Sequence, residues 1–169
     1  MKTTKANKPI SLDYLGLDKC SNEMERASLL WMDIVRRKEE LTQVKTAYQN
    51  AYKSIVAQWK DEINNRFHDL QVTKSSYGEI VVDFVKGSLH YEVCIGKDQK
   101  SLFCLVLLDS ENVKKNSVIP EEIVSKLKDL LSWKKSGYCL FEKFNINDFE
   151  KAFSCYIKVI DRFVDLTKE

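Results

Sequence analysis

Across residues 41–70 apolar side chains step by three or four, at Leu41, Val44, Tyr48, Ala51 or Tyr52, Ile55, Trp59, Ile63, Phe67 and Leu70. That spacing places them on one face of an α-helix. Between Gly16 and Gly78 there is no glycine and no proline, so nothing in the run breaks a helix. The start is predicted at Ser21 or Asn22, either of which can cap the first backbone N–H groups, with Glu23 and Glu25 at the positive end of the helix dipole. Roughly thirty helical residues span about 45 Å, and a run over residues 22–70 is longer than a domain of this size is wide. It therefore either folds back around residues 36–40 into an antiparallel pair, the arrangement expected here, or projects as an arm against another chain. Both arrangements bury Trp31 and Trp59.

After a polar break at residues 73–78 the apolar period changes to two. Residues 79–85 (EIVVDFV), 89–95 (LHYEVCI) and 101–108 (SLFCLVLL) read as strands. The third is apolar on both faces and so belongs at a central or covered position. Pro120 suits the first turn of a helix with Glu121 and Glu122 behind it, and Ile123, Val124, Leu127, Leu130 and Leu131 form its stripe. A short strand at residues 138–141 and an amphipathic helix from Asn147 close the chain. The fold class is α+β: a long N-terminal helical segment, a small mainly antiparallel sheet of three strands plus a short fourth, and two C-terminal helices. Residues 1–20 are expected to form a flexible leader or strap, 21–72 a helical arm and 73–169 the α+β core, together one structural domain.

Apolar content of 44% with five glycines and two prolines excludes a disordered chain and a turn-rich all-β fold. The net charge of +2 is spread evenly, which is not the basic footprint of a dedicated nucleic-acid binder. Small basic patches stand at Lys114 and Lys115 and at Lys134 and Lys135, the latter beside Trp133, where an aromatic next to cations can stack a base. A packed Trp flanked by solvated lysines accounts for the same residues. The five cysteines, Cys20, Cys94, Cys104, Cys139 and Cys155, contain no CxxC pair. They are expected as free buried thiols of a cytoplasmic protein, with no metal or cofactor. No apolar run is long enough to span a membrane.

The best chemical constellation lies in the first hairpin. With Lys86–Gly87 as a two-residue turn, Asp83 stands opposite His90 and Glu92 lies diagonally on the same face. Two carboxylates beside an imidazole can bind a divalent ion or move protons, and Lys97 in the next turn can add to such a site. The same trio is also what an exposed sheet face carries, and that is the expectation here. No phosphate-binding loop, dinucleotide fingerprint, nucleophile elbow or HExxH occurs.

The run EEIVSKLKDLLSWKK over residues 121–135, with its Leu131–Trp133 segment, a following short strand and an amphipathic terminal helix, resembles the tail of an uncharacterised bacterial accessory domain. That domain occurs alone or beside PD-(D/E)XK nucleases, and the resemblance covers roughly residues 79–166. It implies an α+β accessory module in prokaryotic DNA processing or defence. Asp83 and Glu92 can stand for the nuclease acids, but Cys94 occupies the place of the nuclease lysine, leaving Lys97 as its substitute. The expected function is that of a non-catalytic protein-interaction or accessory subunit of a cytoplasmic assembly, with Leu41, Val44, Tyr48, Tyr52, Ile55 and Trp59 as the surface for a protein partner or a second copy. The alternative is a metal-dependent, nuclease-like enzyme built on Asp83, His90 and Glu92.

Overall fold

The computed structural model describes residues 12–70, 72–74, 79–135 and 137–168. Two 3₁₀ turns, Asp13–Leu15 and Leu17–Lys19, precede α1 (Glu23–Arg66), β1 (Val72–Lys74), β2 (Ile80–Lys86), β3 (Leu89–Lys97) and β4 (Ser101–Leu108). There follow α2 (Ser110–Lys114), α3 (Glu121–Leu127), β5 (Trp133–Lys135), β6 (Cys139–Asn145) and α4 (Phe149–Lys168). The protein is α+β, with a long N-terminal helix, an antiparallel sheet and C-terminal helices. The chain divides into two units, one ending at Ala51 and one beginning at Tyr52.

Helix α1 is one continuous element of 44 residues, and the expected fold-back around residues 36–40 does not occur. That stretch reads Arg-Arg-Lys-Glu-Glu. These are strong helix formers, whereas reversing a chain takes turn residues. Its start follows the capping expectation: the Glu25 N–H donates to Asn22 Oδ1 at 2.9 Å, and the Ser21 N–H and hydroxyl each donate to the Glu25 carboxylate at 2.8 Å. The two Ser21 bonds also hold the Glu25 carboxyl below the ordinary glutamate range.

In the second unit the sheet runs in the order β1-β2-β3-β4-β6-β5, with antiparallel pairing at every step. The three expected strands and the short fourth are β2, β3, β4 and β6. The edge strands β1 and β5 have three residues each, too few to show an alternating pattern. Strand β4, apolar on both faces, is interior to the sheet as expected. Ile80, Val82, Phe84, Tyr91, Val93, Ile95, Leu102, Cys104, Val106 and Leu108 alternate onto one face and are buried there. Helix α4 covers that face. Its Phe163 ring lies 5.1 Å from Phe84 and 5.3 Å from Tyr91, and the buried Tyr156 hydroxyl donates to Val93 O at 3.2 Å. Burial raises the Tyr156 phenol well above its ordinary range, keeping it a donor.

The other side of α4 receives the last turns of α1. Trp59 stacks on Phe153 with centroids 5.0 Å apart and planes 2° from parallel, and Tyr52 lies 6.4 Å from Phe149. Arg66 donates to Asp161 at 2.7 Å. Alongside, Arg162 of α4 pairs with Asp129, whose carboxyl that guanidinium draws down to about 2.

Candidate functional site

The helical stripe splits at the boundary between the two units. Tyr52 and Trp59 are buried and Ile55 is half-buried in the second unit. These three expected interface residues are core contacts of the α1–α4 packing. In the first unit, Leu41 is 54% and Val44 65% exposed, and Tyr48 is also exposed. Trp31, expected to be buried in either arrangement, is 66% exposed. Met24, Met32, Ile34 and Val35 are exposed with it. The candidate docking surface is thus displaced toward the N-terminus relative to the expectation.

A seven-residue repeat, overlooked in the reading by threes and fours, connects these positions. Ala27, Ile34, Leu41, Tyr48 and Ile55 recur every seven residues, and Met24, Trp31, Lys38, Lys45, Tyr52 and Trp59 form the companion row. Alternating steps of three and four along one helix make the seam of a coiled coil. Lys38 interrupts the apolar pattern ahead of Leu41 and Lys45 interrupts it just after, which is why the seven-residue repeat does not stand out from apolar spacing alone.

A second line of the same helix is already occupied. The segment with the two 3₁₀ turns lies along it: Tyr14 donates its hydroxyl proton to Asp33 Oδ2 at 2.6 Å, and Arg26 donates to Leu17 O at 3.4 Å. Asp33 also accepts from Arg37 Nε at 2.6 Å and from Arg36 Nη2 at 2.8 Å. Arg37 donates to the Tyr14 oxygen as well and lies over its ring, 5.3 Å from the centroid. The Tyr14 and arginine hydrogen bonds hold the buried Asp33 carboxyl far below its usual range and raise Arg37 above its own. Both arginines are thereby spoken for. Lys38 and Lys45 make no ion pair with any described residue.

The hairpin constellation assembles differently from the expectation. The turn residues are Gly87 and Ser88, not Lys86 and Gly87, because Gly87 adopts the left-handed conformation with φ of 62°. Asp83 therefore pairs with Glu92, and His90 stands opposite Val85. The shift is by two residues, so all three remain on one face. Lys97 does not join them: strand alternation turns it to the α4-covered face, where its ammonium lies 5.1 Å above the Tyr52 ring. Burial, with Asp83, Asp109 and Glu79 nearby, raises the Glu92 carboxyl above the ordinary range. Among the described residues no three His, Cys, Asp or Glu side chains are placed to hold a metal ion. The His90 backbone N–H donates to the buried Asn112 side chain at 2.9 Å, and Asn112 Nδ2 donates to Ser88 O at 3.3 Å. Asn112, which sequence reasoning missed, latches the hairpin to α2.

Lys114 and Lys115 are exposed at the end of α2. Lys134 and Lys135 lie in β5 with Trp133, and the side chains of all three fall outside the described residues. All five cysteines are free, and burial pushes the Cys104 thiol well above its ordinary range. Among the described residues no helix is long and apolar enough to cross a membrane.

No known protein family, curated protein or solved structure matches the chain.

Proposed function

We propose that this chain is a non-catalytic protein-interaction subunit of a cytoplasmic assembly, and that the N-terminal part of α1 is its docking arm. The setting of prokaryotic DNA processing or defence follows from the resemblance of residues 79–166. One observation carries the reading: the seam through Trp31, Ile34, Leu41 and Tyr48 is exposed along a helix whose next heptads, at Tyr52 and Trp59, are buried. Exposed apolar surface of that extent on a regular helix is the mark of a partner site. A helix in water also gains most of its stability from packing an apolar face.

The test is a double variant, Leu41→Glu with Tyr48→Glu, co-purified from native-host lysate beside the wild type. The carboxylates enter an apolar seam and should abolish recovery of a specific partner. Circular dichroism and the melting temperature should stay unchanged, because neither residue is buried. Equal partner recovery by both proteins, or global unfolding of the variant, refutes the reading.

A further inference from the structure

We propose that the occupant of the arm is an amphipathic helix bearing acidic side chains in its own apolar seam, and not a second copy of this chain; the inference rests on the docking-arm reading above. The seam from Met24 to Tyr48 alternates steps of three and four at Met24, Ala27, Trp31, Ile34, Lys38, Leu41, Lys45 and Tyr48. At 1.5 Å per residue it is about 36 Å long, more than three heptads, the length over which a helical partner can register. A 3.5-residue repeat selects one partner geometry, a second helix wound along the first. A sheet edge or an extended peptide does not follow that line.

Charge then decides which helix. Between Met24 and Ala51 the charged residues on the seam and immediately beside it are Arg37, Lys38 and Lys45, whereas Glu25, Asp33, Glu39 and Glu40 stand on other faces. Arg37 is ion-paired with Asp33 and hydrogen-bonded to Tyr14 under the strap. That leaves Lys38 and Lys45, in consecutive heptads of the same row, without an ion pair among the described residues. A second copy in parallel register sets Lys38 against Lys38 and Lys45 against Lys45. In antiparallel register each lysine meets apolar side chains or another lysine, since this stretch of seam carries no acid. Self-pairing therefore brings cations into a partly desolvated seam with nothing to compensate them. A partner helix with Asp or Glu at the facing positions turns both lysines into interhelical ion pairs, and each lysine stem adds apolar contact. The like-charge seam thus acts against self-association and for one class of partner.

The test uses the full chain and three synthetic helical peptides, each about four heptads long, with leucine at the seam positions and Glu, Gln or Lys at the two positions facing Lys38 and Lys45. Binding is read by anisotropy of the labelled peptide and the state of the free protein by light scattering. The Glu peptide should bind about 10-fold tighter than the Gln peptide and the Lys peptide most weakly, and the order should invert for the Lys38→Glu, Lys45→Glu double variant. The free protein should be monomeric. Equal affinity for Glu and Gln peptides overturns the acidic partner while leaving arm docking intact. A dimer of the free protein that Ile34→Glu dissociates overturns it in favour of a second copy. Binding of none of the peptides also overturns it, and the co-purification experiment then reports separately on the docking reading.

Discussion

Replacing Trp59 by alanine removes the ring that stacks on Phe153 at 5.0 Å and lies 6.1 Å from Phe149. Trp59 is 7% exposed, so nearly the whole side chain is packed. An aromatic side chain buries about 150–250 Å², which at ~25 cal/mol per Å² bounds the loss at about 4–6 kcal/mol. Truncations of buried aromatics cost about 3–5 kcal/mol once the cavity is counted. Against a total stability of about 5–15 kcal/mol, the melting temperature should fall by roughly 10 °C or more. The internal control is Trp31→Ala, in the same heptad row four repeats earlier, where the ring is exposed and the expected change is within about 0.5 kcal/mol. Urea unfolding of both variants followed by circular dichroism gives the comparison. Loss of less than about 1 kcal/mol at Trp59, or an equal loss at Trp31, refutes the division of the stripe into a packed and an open half.

Asn112→Ala leaves the His90 N–H without its acceptor and should cost about 1–3 kcal/mol, with loss of hydrogen-exchange protection at the His90 amide; unchanged protection there contradicts the latch. Gly87→Ala places a side chain at φ of 62° and should destabilise by about 1 kcal/mol in urea titrations, whereas a neutral result contradicts the turn assignment. For Glu92, the folded-state carboxyl is raised above its unfolded value by burial and the neighbouring carboxylates. The folded state thus holds its proton more tightly, and stability falls as pH rises through and above the ordinary glutamate range. Glu92→Gln should therefore raise the melting temperature at neutral pH and change it little in acid, and a gain confined to acid reverses the sign of the reasoning.

The candidate site was only partly legible before folding. Leu41, Val44 and Tyr48 follow from helical spacing alone, since three side chains at steps of three or four must share a helix face. Tyr52 and Trp59 share that spacing and yet are core, because α4 supplies Phe149 and Phe153 opposite them. Nothing local distinguishes a tryptophan that meets a neighbour from one that does not. Asp83, His90 and Glu92 were correctly placed on one face, because alternation survives a two-residue shift of register. Their pairing was not, since one glycine's backbone conformation fixed the turn. Lys97 was separated from them by the same alternation, which sends odd and even residues of β3 to opposite faces.

The sequence by itself determined what periodicity and capping can carry: a helical run opened by Ser21, Asn22 and Glu25, three strands, and the amphipathic helix that ends the chain, but not whether that run is one helix or a folded-back pair. These are local properties, fixed by the geometry of residues within a few positions of one another. Tertiary structure decided what depends on residues far apart in the chain. It chose which half of the stripe is buried, recruited two three-residue strands to the sheet edges, anchored the strap on Asp33 through Tyr14, and set Asn112 beneath the hairpin. Each of these turns on whether a partner arrives from elsewhere in the fold, and burial is a relation between segments that no single segment encodes.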